Sequence, residues 1–173
     1  MSATLILGGA RSGKSRFAQS LAERSTLPVV YVATATAGDD EEMQQRIARH
    51  RAQRPPAWRT VEEPVELARA LQQISAEHCV IVDCLTLWLT NLLLCDESSR
   101  AAREIEHFCS VLPVQGNEIL LVSNEVGLGV VPATSLSRQF RDTAGDLHQR
   151  LAGICEQVVF MVAGIPQYLR GAG

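Results

Sequence analysis

Residues 8–15 read Gly8-Gly9-Ala10-Arg11-Ser12-Gly13-Lys14-Ser15 and meet G-x-x-x-x-G-K-[ST] at every required position. Each residue type there has a chemical reason. Glycines let backbone N–H groups wrap phosphates without a Cβ in the way, and the helix that follows aims its positive end at them. Lys14 is placed to reach the β- and γ-phosphates, and the Ser15 hydroxyl to ligate Mg2+. An apolar run precedes the motif and a helical pattern follows it, which is the context it requires. The reading is a nucleotide site. Such a site also needs a metal-side carboxylate, and Val80-Ile81-Val82-Asp83 offers an apolar strand ending in an acid. Asp83 is expected in that role, its other reading being a cap for a helix beginning at Thr86.

A second unusual stretch is Arg46-Ile47-Ala48-Arg49-His50-Arg51-Ala52-Gln53-Arg54. On a helix, Arg46, His50 and Arg54 share one face. Two readings compete on this pattern. One is a solvated face balanced by Glu42; the other is an imidazole in an anion-binding patch, where arginines neutralise a polyphosphate and a neutral ring nitrogen attacks phosphorus. The basic count adds a constraint. The chain has fifteen arginines and one lysine, Lys14, which the phosphate motif already uses. A nucleotidyl-lysine intermediate and an N-K-x-D guanine pocket are therefore excluded. Of His50, His78, His107 and His148, His78 abuts an apolar strand and His107 lies in a charged helix without other signal. His50 is the best placed.

The elements that must hold these residues follow from hydrophobic patterning. Residues 4–7, 29–33, 80–82, 119–122 and 158–162 are short, almost continuously apolar runs, as expected for strands buried on both faces. Amphipathic segments at 14–24, 41–53, 64–77, 86–94, 101–111 and 135–155 read as helices between them. This alternation predicts an α/β fold, P-loop NTPase-like, with a mostly parallel sheet flanked by helices on both faces. Pro55-Pro56 ends the second helix, and residues 112–117 read as a plain loop. One domain over 1–173 is expected, since no repeat or linker divides the chain.

Composition narrows the setting. A net charge of −3 offers no general basic field for nucleic acid. The five cysteines form no C-x-x-C, and the neighbouring histidines complete no zinc pattern. Buried free thiols in a reducing cytoplasm are the expectation. The N-terminal apolar run is too short for a signal-peptide core, and no run approaches the ~18 residues of a membrane span.

With these residues in view, the sequence resembles the bifunctional adenosylcobinamide kinase / adenosylcobinamide-phosphate guanylyltransferase family of cobalamin biosynthesis. The resemblance runs nearly end to end in four blocks. The first is residues 8–15 with Arg16. The second is Asp40-Glu41-Glu42-Met43, Arg46-Ile47, His50, Arg54-Pro55, Trp58, Thr60 and Glu62-Glu63-Pro64. The third is Val82-Asp83-Cys84-Leu85-Thr86, Trp88 and Asn91-Leu92. The fourth is Ser123-Asn124-Glu125-Val126-Gly127, Gly129, Val131-Pro132, Arg138, Phe140-Arg141-Asp142 and Gly145. The second and fourth blocks are the specific ones. Departures are Leu7, where members often carry a polar residue, and His148, where many carry asparagine.

The resemblance implies two transfers on one chain. A γ-phosphoryl group passes from ATP or GTP to the aminopropanol hydroxyl of adenosylcobinamide. The histidine matching His50 then takes GMP from GTP, and adenosylcobinamide phosphate accepts it to give adenosylcobinamide-GDP. The family's nucleotide contacts map onto residues 8–15, Thr34, Ala35 and Thr36, then Arg51, Ala52, Gln53 and Arg54, and Glu62 and Asp83. The metal positions map onto Ser15 and Asp83. Members form homo-oligomers, trimers among them. Two other readings stay open at this point: a monofunctional small-molecule kinase with Arg49, Arg51 and Arg54 as a phosphate-clamping lid, and a nucleotide-sensing module without catalysis.

Overall fold

A computed structural model of the chain describes residues 2–36, 38, 41–52, 54–95, 97 and 99–171, with Arg46 described by its backbone alone. Seven strands form one sheet: β1 (Ser2–Gly8), β2 (Val29–Ala33), β3 (Arg59–Glu62), β4 (Cys79–Asp83), β5 (Glu118–Asn124), β6 (Gln157–Val162) and β7 (Ile165–Arg170). Their order across the sheet is β3-β2-β4-β5-β1-β6-β7. All neighbouring pairs are parallel except β6–β7. The helices are α1 (Lys14–Ala22), α2 (Glu41–Ala52), α3 (Leu67–Gln72), α4 (Leu85–Leu93), α5 (Arg100–Val111) and α6 (Ser135–Ile154).

Parallel strands need helical crossovers, and these cover the sheet on both sides. Leu5, Val30, Val32, Val80, Val82, Ile119 and Leu121 face α3, α4, α5 and α6. The alternate residues Ile6, Tyr31, Ile81, Leu120 and Val159 pack with Ala18 and Ala22 of α1. Two apolar layers thus share one sheet, which is why these strands read as unbroken apolar runs. The larger layer centres on Trp88, whose ring lies 5.1 Å from that of Phe108 and whose Nε1 donates to the Val65 carbonyl at 2.6 Å. Truncating such a buried aromatic costs about 3–5 kcal/mol.

The five expected strands are present, all but β2 extended by one to three residues. The helix expected at 64–77 is shorter, because Glu63 Oε1 accepts from the Val65 and Glu66 N–H groups and holds a turn ahead of Leu67. The helix expected from Thr86 begins at Leu85 behind Cys84, with no side-chain cap, so Asp83 is not capping it. Residues 112–117 are no plain loop. Leu112–Val114 is a 3-10 turn, and Leu112 and Asn117 are fully buried. Asn117 Nδ2 donates to the Ser75 and His78 carbonyls, pinning the chain as it enters β5.

Two strands escaped the periodicity. β3 is a polar edge strand of four residues, and β7 is a mostly exposed edge strand. β7 returns through Ala163-Gly164, both at positive φ (52° and 79°), the backbone a tight antiparallel turn demands.

Candidate active site

The strand register brings the chemistry to one edge. Gly8 pairs with Asn124, Ala33 with both Asp83 and Glu62, and Asp83 with Val122. The carboxyl ends of β1, β5, β4, β2 and β3 therefore lie along one rim, where α/β sheets bind ligands. A cleft of about 1170 Å³ opens there. Residues 10–15, Tyr31, Ala35, Thr36, His50, Arg51, Arg54, Glu62, Asp83 and Asn124 are among those lining it.

The phosphate loop has the backbone its glycines predict. Gly8 has φ +152°, and a Cβ there would lie 2.5 Å from the Met161 carbonyl oxygen. Gly13, the N-cap of α1, is left-handed at φ 96°. A Cβ on it would stand 3.2 Å from the Cα of Gly164. The β6–β7 turn leans on the loop, with Gly164 N–H donating to the Ser12 carbonyl at 2.9 Å. Lys14 is buried, and its Nζ donates to the Gly9 carbonyl at 2.5 Å and to Ser12 Oγ at 3.3 Å. Burial lowers its pKa from the ordinary lysine value, and nearby Cys84 and Asp83 oppose that shift.

Asp83 is held from the side by β2. Tyr31 O–H donates to Asp83 Oδ2 at 2.5 Å. Burial first and Asp83 second raise the Tyr31 pKa far above its ordinary value, so the phenol stays a donor. Thr34 Oγ1 donates to the Cys84 carbonyl and accepts from Cys84 N–H, both at 2.8 Å, across the cis Asp83–Cys84 peptide. Asn91 Nδ2 donates to the Thr34 and Pro64 carbonyls, tying residues 34–36 to the β3 exit.

The other wall is α2. It begins with Glu41 and Glu42 and ends with Arg49, His50 and Arg51, the charge order its dipole favours. Arg54, just beyond, stacks its guanidinium 3.7 Å above the Tyr31 ring. Arg51 and Glu62 pair at 3.6 Å with both side chains two-thirds exposed, an interaction worth little by itself.

The donor set suits Mg2+, a hard cation that takes one or two protein oxygens together with phosphate oxygens and water. Ser15 and Asp83 supply a hydroxyl and a carboxylate on the same cleft. Among the described residues no group of three His, Cys, Asp or Glu gathers into a self-sufficient metal cage. Magnesium bound partly through phosphates does not require one.

A model of the cobinamide kinase / cobinamide phosphate guanyltransferase family matches residues 4–169. This chain belongs to that family. Among relatives, the bifunctional adenosylcobalamin biosynthesis protein CobP of Pseudomonas aeruginosa is 58% identical over 168 residues, 96% of each chain. The protein of the same description, CobU, from Escherichia coli is 39% identical over 175 residues, 93% of this chain and 96% of that one. Solved structures share the fold at much lower identity. The flagellar accessory protein FlaH of Methanocaldococcus jannaschii has a TM-score of 0.52 at 13% identity, covering 98% of this chain and 78% of that one. An ATPase from the type III secretion system of pathogenic bacteria gives 0.54 at 9% identity, covering 96% and 56%. The fold is that of P-loop NTPases, and the family description attaches a kinase and a guanyltransferase activity to it.

Not every expected site residue of this family member faces the cleft. Gly8 and Gly9 shape the loop from outside the cleft lining, Thr34 turns its buried hydroxyl to Cys84, and Ala52 sits on the exposed end of α2. Gln53 lies outside the described residues, as does the side chain of Arg46. His148 does not reach the cleft. It is buried on α6, with Nε2 2.7 Å from Ser123 Oγ and Nδ1 3.8 Å from Glu125 Oε2. Tyr31 and Asn124 were missed as site residues. A tyrosine inside the apolar run Val29-Val30-Tyr31-Val32-Ala33 was the available signal, because a buried phenol needs a partner.

The thiols are free, as expected, and all but Cys95 are buried. Burial pushes Cys79 and Cys155 up to about 12, far from the thiolate form that reacts. No helix among the described residues is long and apolar enough to cross a membrane.

Proposed function

We propose that this enzyme phosphorylates adenosylcobinamide with ATP or GTP and then guanylylates the product through a histidine-bound GMP, both within the one cleft. The observation that carries this reading is that His50 and the phosphate loop line the same cavity. A nucleotide whose phosphates lie in the loop thus has a candidate nucleophile in the same space.

In the first transfer the backbone N–H groups of the loop and the Lys14 ammonium hold the phosphates and spread their developing charge. Ser15 and Asp83 would hold Mg2+, which when bound would neutralise phosphate charge. The acceptor hydroxyl forms a P–O bond and releases its proton to water, the bond from the γ-phosphorus to its bridging oxygen breaks, and ADP or GDP leaves. In the second, a neutral His50 ring nitrogen attacks the α-phosphorus of GTP. A P–N bond forms, the α–β P–O bond breaks, and pyrophosphate leaves. Arg51 and Arg54 lower the charge the imidazole must approach. A phosphate oxygen of adenosylcobinamide phosphate then attacks the same phosphorus, the P–N bond breaks, and the imidazole is restored. Arg51, Arg54, Ala35, Thr36 and Glu62 serve nucleotide binding in this scheme.

The test is the intact mass of the protein after incubation with GTP and Mg2+. One GMP is expected on the wild type, at His50, and none on His50→Ala, which keeps adenosylcobinamide phosphorylation. Lys14→Ala is expected to slow both transfers about 10²–10³-fold, the usual loss of one charge-stabilising donor. Label from α-labelled GTP retained on His50→Ala defeats the histidine assignment. A wild type that phosphorylates without ever carrying GMP is a kinase alone.

The same reading takes the chain as a cytoplasmic homo-oligomer, with the trimer that the family resemblance implies as its expected state. Leu128, Val130 and Val131 on the loop after β5, and Ile165 and Leu169 on β7, are exposed apolar side chains that an oligomer contact would cover.

A further inference from the structure

Tyr31 is 1% exposed and touches both walls of the cleft. In register it sits opposite Ile81 of β4 and Thr60 of β3. Side chains two apart on a strand share a face, so Ile81 and Asp83 point to the side that Tyr31 occupies. The phenol reaches Asp83 Oδ2 at 2.5 Å. The ring face carries the Arg54 guanidinium at 3.7 Å, and Arg54 Nη1 donates a long bond to Thr60 Oγ1 at 3.4 Å. Arg54 Nε is buried with no hydrogen-bond partner among the described residues. The ring is therefore the principal support of that guanidinium.

We infer that Tyr31 is a positioning residue for both halves of the cleft. Its hydroxyl fixes the carboxylate of Asp83 on the phosphate-loop side, and its ring fixes the guanidinium of Arg54 on the His50 side. The assignment of those sides to metal binding and guanylyl transfer rests on the function proposed above. The hydroxyl's bond occupies Oδ2 and fixes how the carboxylate presents its other oxygen. Stacking uses the flat face of the guanidinium and leaves its edge N–H groups to donate to phosphate oxygens. A phenylalanine would fill the same volume and carry Arg54 equally well, so packing alone does not account for the hydroxyl. One side chain thereby sets the distance between the two groups that must address the same triphosphate.

The test compares Tyr31→Phe, Tyr31→Leu and the wild type in the full chain. Binding of a fluorescent GTP analogue is measured across a Mg2+ titration and in EDTA, beside thermal melts. Tyr31→Phe is expected to raise the Mg2+ concentration for half-maximal tightening about tenfold, the scale of losing a hydrogen bond to a charged group. In EDTA it loses less than twofold in affinity. Tyr31→Leu is expected to show the same Mg2+ shift and a several-fold loss in EDTA. Adding Arg54→Ala to Tyr31→Leu then costs little, whereas adding it to Tyr31→Phe costs several-fold. A Mg2+ curve in Tyr31→Phe that overlays the wild type, or an Arg54→Ala penalty equal in all backgrounds, overturns the inference even if melting temperatures fall. The readout is binding, so it is separable from the reaction. A wild type that carries no GMP defeats the histidine reading and leaves the Mg2+ shift to judge Tyr31.

Discussion

His148 is a buried imidazole between Ser123 and Glu125. Burial lowers its pKa below the ordinary value of 6.5, and the nearby Glu125 carboxylate only partly opposes this. The unfolded chain therefore binds this proton at higher pH than the folded one does. The stability His148 contributes is fully present above about pH 6.5 and drains away as pH falls toward the lower folded pKa, by at most about 1.4 kcal/mol per pH unit for one proton. His148→Asn keeps a hydrogen-bonding side chain without that titration. Urea midpoints between pH 7.5 and 5.5 are expected to fall more steeply for the wild type than for His148→Asn. Equal slopes would show that the imidazole does not carry this acid sensitivity. At the same scale, the place of Lys14 and Asp83 on one cleft was legible from their motifs. Tyr31 was not, because its contact with Asp83 depends on β2 and β4 being neighbours in a given register, which no local pattern states.

Elements were legible in proportion to their burial. β2, wholly buried, has the bounds its apolar run predicts, because both its faces pack against helices. β3 and β7 lie at the sheet edges with polar or exposed residues, so alternation is the only signal and four to six residues carry too little of it. The turn between β6 and β7 matters beyond its size, since Gly164 supports the phosphate loop through Ser12. Its φ of +79° suits glycine or asparagine and strains a β-branched residue by about 1–3 kcal/mol. Gly164→Val is expected to lower the melting temperature and weaken binding of a fluorescent GTP analogue several-fold, while Gly164→Asn retains both. Unaltered nucleotide binding in Gly164→Val would show that the loop does not depend on this turn.

At the scale of the whole molecule, the sheet order places one strand, β5, between the strand that leads into the phosphate loop and the strand that ends in Asp83. The cleft runs along the carboxyl ends of these three strands and of β2 and β3, with α2 as a wall. The convergence of His50 on it was not legible from spacing, since Pro55-Pro56 states where α2 stops and not where it packs. Assembly belongs to this scale as well. Sedimentation equilibrium is expected to give three times the 18.9 kDa chain mass. A species of one chain mass at micromolar concentration would remove the trimer from the scheme and leave the exposed apolar loop after β5 without that explanation.

The seating of β1 has a consequence in time. The phosphate loop leaves the ribosome ahead of β5 and β6, the strands that flank β1, and ahead of residue 164, which braces the loop. Synthesis proceeds at about 5–20 residues per second. For several seconds, then, the nascent chain carries the nucleotide motif without either neighbouring strand or the turn that supports it. Nucleotide binding should appear late and all at once in a translating chain, when β6 and the turn after it leave the exit tunnel.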